Sequence, residues 1–253
     1  MNINDIMKVL FDWTPSEKEC KGDALVWGDG KKDLKKVAVC CIATPDVINE
    51  AVKWGADGLI THEPTLFNNL SDTDKDPVVQ AKRKLLENAD LVINRFHDHS
   101  HFTDSDKIIE GVIKKLKWQG EFDGNKKFTF KEPKSYKDVI ADIENELGLK
   151  HIRFTGYENK EIKSISMCVG SWGVDNVIAE LRKDDIDAVI CGEIVEWCIC
   201  EYVRDAGQLG FKKSLFLLGH MGSEKSGMEY VCEYLTDNIP DVEFKYFDCK
   251  EVY

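Results

Sequence analysis

Short apolar runs alternate with amphipathic segments along the whole chain, a pattern typical of α/β proteins. The amphipathic segments predict helices, several with clear start signals such as Thr44-Pro45, Asp76-Pro77 and Ser135 followed by Asp138. A further helix is predicted to open at 103–104 and to run to residue 117. The apolar runs predict strands at 36–42, 57–61, 90–94, 164–169, 187–191, 214–218 and 242–247.

The second half of the chain repeats part of the first. Shifted by 130 positions, residues 46–63 are identical to residues 176–193 at seven of eighteen positions, including Asp57 with Asp187 and Glu63 with Glu193. The sequence therefore predicts an α/β fold of two tandem, duplicated units, 1–125 and 126–253, with the polar stretch 119–127 as the linker. The C-terminal part of the second unit is expected to pack on the first.

Four of the six histidines directly follow predicted strands: His62, His97, His101 and His220. The same short segments carry Glu63, Asp98, His99 and Glu224. Because the carboxyl ends of the strands of an open α/β sheet face the ligand crevice, we expect these side chains to converge. Together they form a set of metal ligands at a site between the two units. The alternative is that each histidine is a hydrogen-bonding residue of its loop.

Spacing favours two ions over one. Residues four apart share a side whether the backbone is helical or extended, so His97 can act with His101, and His220 with Glu224. His62 and Glu63 point in opposite directions on an extended backbone, so each suits a different ion. A glutamate carboxylate can bridge ions roughly 3.5–4 Å apart, the separation found in two-metal hydrolytic sites.

Other polar residues in these segments are interpreted as supporting or structural groups. His99 joins the ligands only if its segment is extended, whereas Asp98 is expected to orient an imidazole. Glu193 is interpreted as a carboxylate at the start of a helix, in preference to a group that hydrogen-bonds a metal ligand. His151 is interpreted as structural or surface. The segment 170–173 is interpreted as a tight turn in preference to a phosphate seat.

Composition and charge restrict the class of protein. The net charge is -12 with a pI of about 5.0, opposite in sign to the basic surface that nucleic acids or anionic membranes need. No run reaches the roughly 18 apolar residues of a membrane span, and the first residues do not form a secretory signal. The nine cysteines, an odd number, lie mostly in apolar runs and are interpreted as reduced thiols, so we expect a cytoplasmic protein.

Four segments resemble the motif blocks of a known family. In order, ADGLITHEPTLF, VINRFHDHSH, AVICGEIVEW and LLGHMGSE are similar to those of the Nif-three-like dinuclear metal-centre family, also called the YbgI-type or GTP cyclohydrolase I type 2 family. The block with a glutamate four residues after its histidine is the most specific. The resemblance implies two intertwined α/β units, a toroidal homohexamer, and dinuclear metal centres that face its cavity.

Transferred by position, the resemblance implies one ion on His62 and His101, the other on Glu63 and His220, and Glu224 bridging both. His97 would lie close by as a catalytic proton shuttle. Two positions depart from the family pattern, because its common His-His pair reads His62-Glu63 and its usual aspartate is His101. The ligand types are compatible with two Zn²⁺, Fe²⁺, Mn²⁺ or Ni²⁺ ions per chain.

The resulting functional hypothesis is a metal-dependent hydrolase that acts on a nucleotide or a similar phosphorylated small molecule, GTP cyclohydrolase-like by resemblance. Neither a P-loop nor a glycine-rich dinucleotide fingerprint is present in the sequence. The alternative is a non-enzymatic protein that binds metal or serves as an interaction scaffold. A catalytic ion keeps an open coordination position, whereas a structural ion is usually fully ligated.

Overall fold

The computed structural model describes residues 1–67, 74–158 and 161–250. Within them the chain forms two compact units, the first from residues 1–108 and 228–250 and the second from residues 109–227. The second unit is therefore inserted into the first in the sequence. The two units predicted from the sequence, 1–125 and 126–253, are defined by the sequence repeat, and this division stays a prediction.

Helices and strands follow one another through both units. The helices are α1 (Ile3–Trp13), α2 (Pro45–Trp54), α3 (Pro77–Ala89), α4 (Asp98–His101), α5 (Lys107–Leu116), α6 (Tyr136–Leu147), α7 (Val174–Arg182), α8 (Glu196–Gln208) and α9 (His220–Asn238). The strands are β1 (Leu25–Trp27), β2 (Lys36–Cys40), β3 (Gly58–Thr61), β4 (Val92–Arg95), β5 (Gly120–Phe122), β6 (Lys127–Lys134), β7 (Arg153–Gly156), β8 (Ile162–Ser171), β9 (Ala188–Glu193), β10 (Ser214–Leu217) and β11 (Glu243–Tyr246). The α/β fold class is confirmed.

The first unit is built on a sheet with the strand order β1-β4-β3-β2-β11 among the described residues. Strands β11, β2, β3 and β4 run parallel, and β1 pairs antiparallel with β4. Strands β2, β3 and β4 are buried along nearly their whole length. Burial on both faces explains why these strands read as continuous apolar runs in the sequence.

The second unit has a sheet with the order β5-β6-β8-β9-β10-β7 among the described residues. Strands β8, β9 and β10 are parallel, whereas β5, β6 and β7 each pair antiparallel with a neighbour. Apolar residues of α7 and α8 pack with residues of the parallel strands in one core cluster: Cys168, Val177, Ile178, Leu181, Ile186, Val189, Cys191, Ile199, Val203, Leu215 and Leu217.

One identity of the sequence repeat has the same structural role in both units. Asp57, directly before β3, accepts the backbone N–H groups of residues 35 and 36 at 2.8 and 3.0 Å. Asp187, directly before β9, accepts those of residues 163 and 164 at 2.7 and 3.0 Å. Each aspartate thus links the starts of two adjacent parallel strands, β2 with β3 in the first unit and β8 with β9 in the second. The duplication itself stays a prediction.

Two sequence predictions are wrong in detail. The stretch 119–127 is not a linker, because it contains β5 and the start of β6, joined by a turn in which Asp123 Oδ1 accepts three backbone N–H groups. The helix predicted from 103–104 begins only at Lys107. The preceding Asp106 instead bonds through its carboxylate to the ring of His101, so a local side-chain contact replaces helical hydrogen bonding in the chain before α5.

No helix among the described residues combines the length and the hydrophobicity that crossing a lipid bilayer requires.

We expect Asp57→Ala and Asp187→Ala each to lower the free energy of unfolding by ~1–3 kcal/mol, because two backbone N–H groups lose a charged acceptor. Urea denaturation of the full chain measures the loss. The matched controls Asp57→Asn and Asp187→Asn keep an acceptor oxygen and should lose clearly less. Equal losses for the Ala and Asn variants would contradict this role.

Candidate metal centre

His62 follows β3 directly and is fully buried. Its Nδ1 lies 3.0 Å from the carbonyl oxygen of Phe96. A carbonyl can only accept, so Nδ1 carries the hydrogen and Nε2 carries the lone pair. Burial, and then the neighbouring His97 and His101, hold the pKa of His62 well below its ordinary value. His62 is therefore neutral, which is the form that binds a metal ion.

His97 is the N-cap and His101 the last residue of the short helix α4, which follows β4. His97 Nδ1 lies 2.7 Å from Asp98 Oδ1, and His101 Nδ1 lies 2.8 Å from Asp106 Oδ2. Carboxylates are acceptors, so both rings present Nε2 as the second nitrogen. Burial, and then the neighbouring His101, lower the pKa of His97. An imidazole whose other nitrogen is held by an acceptor is the usual arrangement of a metal-binding histidine.

The three imidazoles converge on one point. The ring centroid of His62 is 4.5 Å from that of His97 and 5.1 Å from that of His101. The Nε2 atoms of His62 and His101 are 3.2 Å apart, and one ligand atom from each of the three residues lies within 4.8 Å of the others. Two nitrogens on a tetrahedral Zn²⁺ ion, each at about 2.0–2.1 Å, are roughly 3.3 Å apart. The donor set therefore fits a divalent cation.

Glu63 lies beside these rings and next to an arginine. Arg95 Nε donates to the backbone oxygen of His62 at 2.8 Å, and its Nη2 lies 3.7 Å from Glu63 Oε2. The side chain of Glu63 is only 13% exposed. Arg95 thus fixes the backbone at the end of β3 and provides positive charge beside the carboxylate.

Asp23 holds the histidine segment in place from a distant part of the chain. Its carboxylate accepts the backbone N–H groups of His97, Asp98 and His99, with the last two at 3.1 and 2.9 Å. It also lies 2.6 Å from His99 Nδ1, and its side chain is 1% exposed. The sequence offered no signal for Asp23, because it lies more than seventy residues from its partners.

The second unit brings His220 and Glu224 together in the first turn of α9. His220 Nε2 lies 3.3 Å from Glu224 Oε2, and His220 Nδ1 lies 3.2 Å from Glu193 Oε1 at the end of β9. The preferred interpretation of Glu193 as a helix-start carboxylate is wrong, since α8 begins three residues later at Glu196. Glu193 instead contacts a candidate ligand.

Small residues let this turn of α9 approach the ends of β8 and β9. Gly170 has a φ of +67°, and a Cβ there would overlap Glu224 Oε1 and lie 3.3 Å from His220 Nε2. The N–H of Gly170 donates to Ser223 Oγ at 2.9 Å, and that hydroxyl donates to the backbone oxygen of His220 at 2.7 Å. The N–H of Gly170 therefore serves a structural contact. Residues 170 and 171 belong to β8, and 172–173 connect this strand to α7, so the segment 170–173 is not a separate tight turn.

The remaining sequence candidates lie elsewhere. His99 stacks on Phe11 with ring centroids 4.2 Å apart and bonds to Asp23, so it does not join the three converging imidazoles. Asp98 orients His97, as predicted. His151 is exposed before β7. Asp23, Arg95 and Asp106 were not predicted from the sequence. Asp106 lies only five residues after His101, but no motif marks the pair.

Fold and site together define a class: an α/β protein that carries histidine and carboxylate groups, fit for divalent cations, at the carboxyl ends of its parallel strands. The chain belongs to the family Duf34/NIF3 (NGG1p interacting factor 3), whose model matches residues 1–251. The family resemblance of the motif blocks is thereby confirmed.

Relatives extend over nearly the whole chain. A protein of Clostridium perfringens named GTP cyclohydrolase 1 type 2 homolog is 27% identical, with 96% of this chain and 95% of the relative aligned. The solved structure of the protein ybgI has a TM-score of 0.77 at 20% identity, with 100% of both chains covered. A Bacillus cereus protein related to NIF3 has a TM-score of 0.78 at 12% identity, covering 100% of this chain and 97% of its own. At these identities the two structures show the shared fold.

We expect Asp23→Ala to destabilise the protein by ~2–4 kcal/mol, because three backbone N–H groups and one imidazole lose a buried charged acceptor. Chemical denaturation measures this change. Asp12→Ala on the exposed side of α1, where the aspartate pairs with Lys8, serves as the control and should cost less than ~0.5 kcal/mol. Similar values for the two variants would contradict the role assigned to Asp23.

Proposed function

We propose that this protein is a dinuclear, divalent-metal-dependent hydrolase that acts on a nucleotide or a similar phosphorylated small molecule. The observation that carries the proposal is the convergence of His62, His97 and His101, each with its Nδ1 bonded to an acceptor. The substrate class is supported by relatives named GTP cyclohydrolase 1 type 2 homolog.

Five side chains are proposed as the ligands: His62, Glu63, His101, His220 and Glu224. The ligand chemistry supports this assignment, since neutral imidazoles and carboxylates are the groups that Zn²⁺, Fe²⁺, Mn²⁺ and Ni²⁺ share. The two carboxylates also offset the charge of the ions. Glu224 can offer two oxygens and would therefore be the ligand shared by both ions.

Two divalent ions bound there would polarise the electrophile of the substrate and provide positive charge for its phosphate groups. A protein of net charge -12 needs such local positive charge to hold an anionic substrate. The ligands would therefore serve binding and chemistry together.

His97 is proposed to move the proton. Its Nδ1 is bonded to Asp98 Oδ1, and Asp98 Oδ2 in turn accepts the N–H of Gly22 at 2.7 Å, so the ring is held in one orientation. The lone pair of His97 is then on Nε2, directed away from Asp98. Because burial lowers the pKa of His97, the ring is in its neutral, proton-accepting form at neutral pH.

We expect the purified protein to hold close to two divalent ions per chain and Glu224→Gln to lose most of them, because the amide carries no charge and cannot bridge. Elemental analysis of dialysed protein gives the ratio. The matched control is Glu144→Gln on the exposed side of α6, which should leave the metal content unchanged.

A second pair of variants tests the position of Glu224 without altering any ligand. Gly170→Ala and Gly173→Ala both place alanine at a positive φ, +67° and +70° respectively. Only the first adds a Cβ that overlaps Glu224, since no atom lies within 4 Å of a Cβ at Gly173. Metal loss confined to Gly170→Ala supports the assignment. Metal-free wild-type protein, or equal metal content in all variants, would refute it.

We expect His97→Ala to lower metal-dependent hydrolysis of a nucleoside triphosphate by roughly 10²–10⁴-fold, the usual contribution of general acid–base catalysis. Metal content should fall far less than it does in Glu224→Gln. Turnover and elemental analysis on the same preparations separate the two effects. A broad panel of phosphorylated substrates without metal-dependent turnover would instead support a non-enzymatic metal-binding or scaffold protein.

The homohexamer implied by the family resemblance and the cytoplasmic location stay predictions, and light scattering of the purified chain tests the first.

A further inference from the structure

The second unit contains a cavity of about 600 Å³ that the ligands proposed above do not account for. It lies where β10 ends and β7 begins, and its lining includes Lys150, His151, Arg153, Glu196 and Gly219. Its volume is within the range of sites that bind small molecules. From the sequence, His151 is interpreted only as a structural or surface residue.

The charged groups around the cavity favour an anion. Among the residues that the structure describes, Lys150 and His151 form no ion pair, whereas Arg153 pairs with Glu196. Two permanent cations therefore face one carboxylate. This local excess of positive charge stands out in a chain of net charge -12.

Helix α8 adds to the positive potential at the cavity. Its first residue, Glu196, is part of the lining, so the amino-terminal end of this thirteen-residue helix lies at the edge of the cavity. The N-cap residue, Val195, has no side chain that could accept a hydrogen bond from the first N–H groups. The N–H of Cys198 donates to the backbone oxygen of Val195 at 3.1 Å, and the helix dipole favours a negative group near the start of the helix.

The cavity is also adjacent in the chain to a proposed metal ligand. Leu217, Leu218 and Gly219 form part of its wall at the carboxyl end of β10, and His220 follows immediately. This is the end of a parallel strand at which α/β proteins bind their ligands. An anion in the cavity would therefore lie beside the start of α9, where His220 and Glu224 are located.

We propose that this cavity is a subsite that binds the phosphate chain of a small-molecule substrate through Lys150, Arg153 and the start of α8. The identity of the ligand as part of a hydrolase substrate rests on the function proposed above. The anion-binding property itself is a feature of the second unit.

The test measures the binding of inorganic pyrophosphate to the full chain by titration calorimetry at fixed ionic strength. The protein is titrated both as purified and after treatment with EDTA. Lys150→Gln and Arg153→Gln should each weaken binding by about five- to tenfold, as expected for the loss of one charge-assisted contact. Glu196→Gln should strengthen binding by roughly threefold, because it removes the carboxylate that competes for Arg153.

Lys131→Gln is the matched control. It removes the same charge from an exposed position of the same unit, where Lys131 lines a different cavity of about 550 Å³. Binding that is unchanged in Lys150→Gln and Arg153→Gln, or weakened equally in Lys131→Gln, would overturn the subsite. Weaker binding in Glu196→Gln would also overturn it, since a purely structural Arg153–Glu196 pair predicts that result.

Metal content measured on the same samples separates this proposal from the previous one. Loss of pyrophosphate binding in Lys150→Gln with wild-type metal content supports the subsite. Wild-type protein that lacks metal but binds pyrophosphate in a Lys150-dependent way would refute the metal centre and retain the subsite. If the protein has full metal content and hydrolyses its substrate, but binds pyrophosphate equally well without Lys150, the hydrolase proposal stands and the subsite proposal is wrong.

Discussion

Burying several imidazoles side by side requires that they be neutral and that each ring nitrogen with a hydrogen find an acceptor, because an unpaired buried polar group is costly. His62, His97 and His101 meet this requirement through a carbonyl and two carboxylates, all on Nδ1. The same bonds direct the three Nε2 atoms to a common region. The same three hydrogen bonds therefore satisfy the buried imidazoles and orient these candidate metal-binding groups.

Other residues hold the backbone that carries these histidines. Asp23 binds the backbone of the whole 97–99 segment, and Arg95 binds the backbone at His62. In the second unit, Gly170 has no Cβ to obstruct Glu224, and Ser223 links Gly170 to the first turn of α9. Partners of this kind orient the side chains that bind a metal ion, and their loss typically lowers metal affinity by roughly 10–100-fold.

Family membership and fold leave the chemistry open, since one fold can host many activities. The proposed hydrolase takes its substrate class from the names of relatives. Its site rests on the residues: a donor set that fits divalent cations, an oriented histidine, and a cavity beside His220 whose lining has more cations than carboxylates. Both proposals assume an anionic substrate, and a chain of net charge -12 needs local positive charge to hold one. The metal centre and the cavity remain separate hypotheses with separate measurements.

The sequence by itself determined the α/β class, the family, and the positions of the candidate ligands at strand ends, because alternating periodicity and short motifs are local properties. It also identified the repeated Asp57 and Asp187. Only the tertiary structure revealed Asp23, Asp106 and the contact of Glu193 with His220, and it replaced the supposed linker by β5 and β6. Those features depend on hydrogen bonds between distant residues or on a side chain that closes a turn, and neither leaves a periodic pattern in the chain.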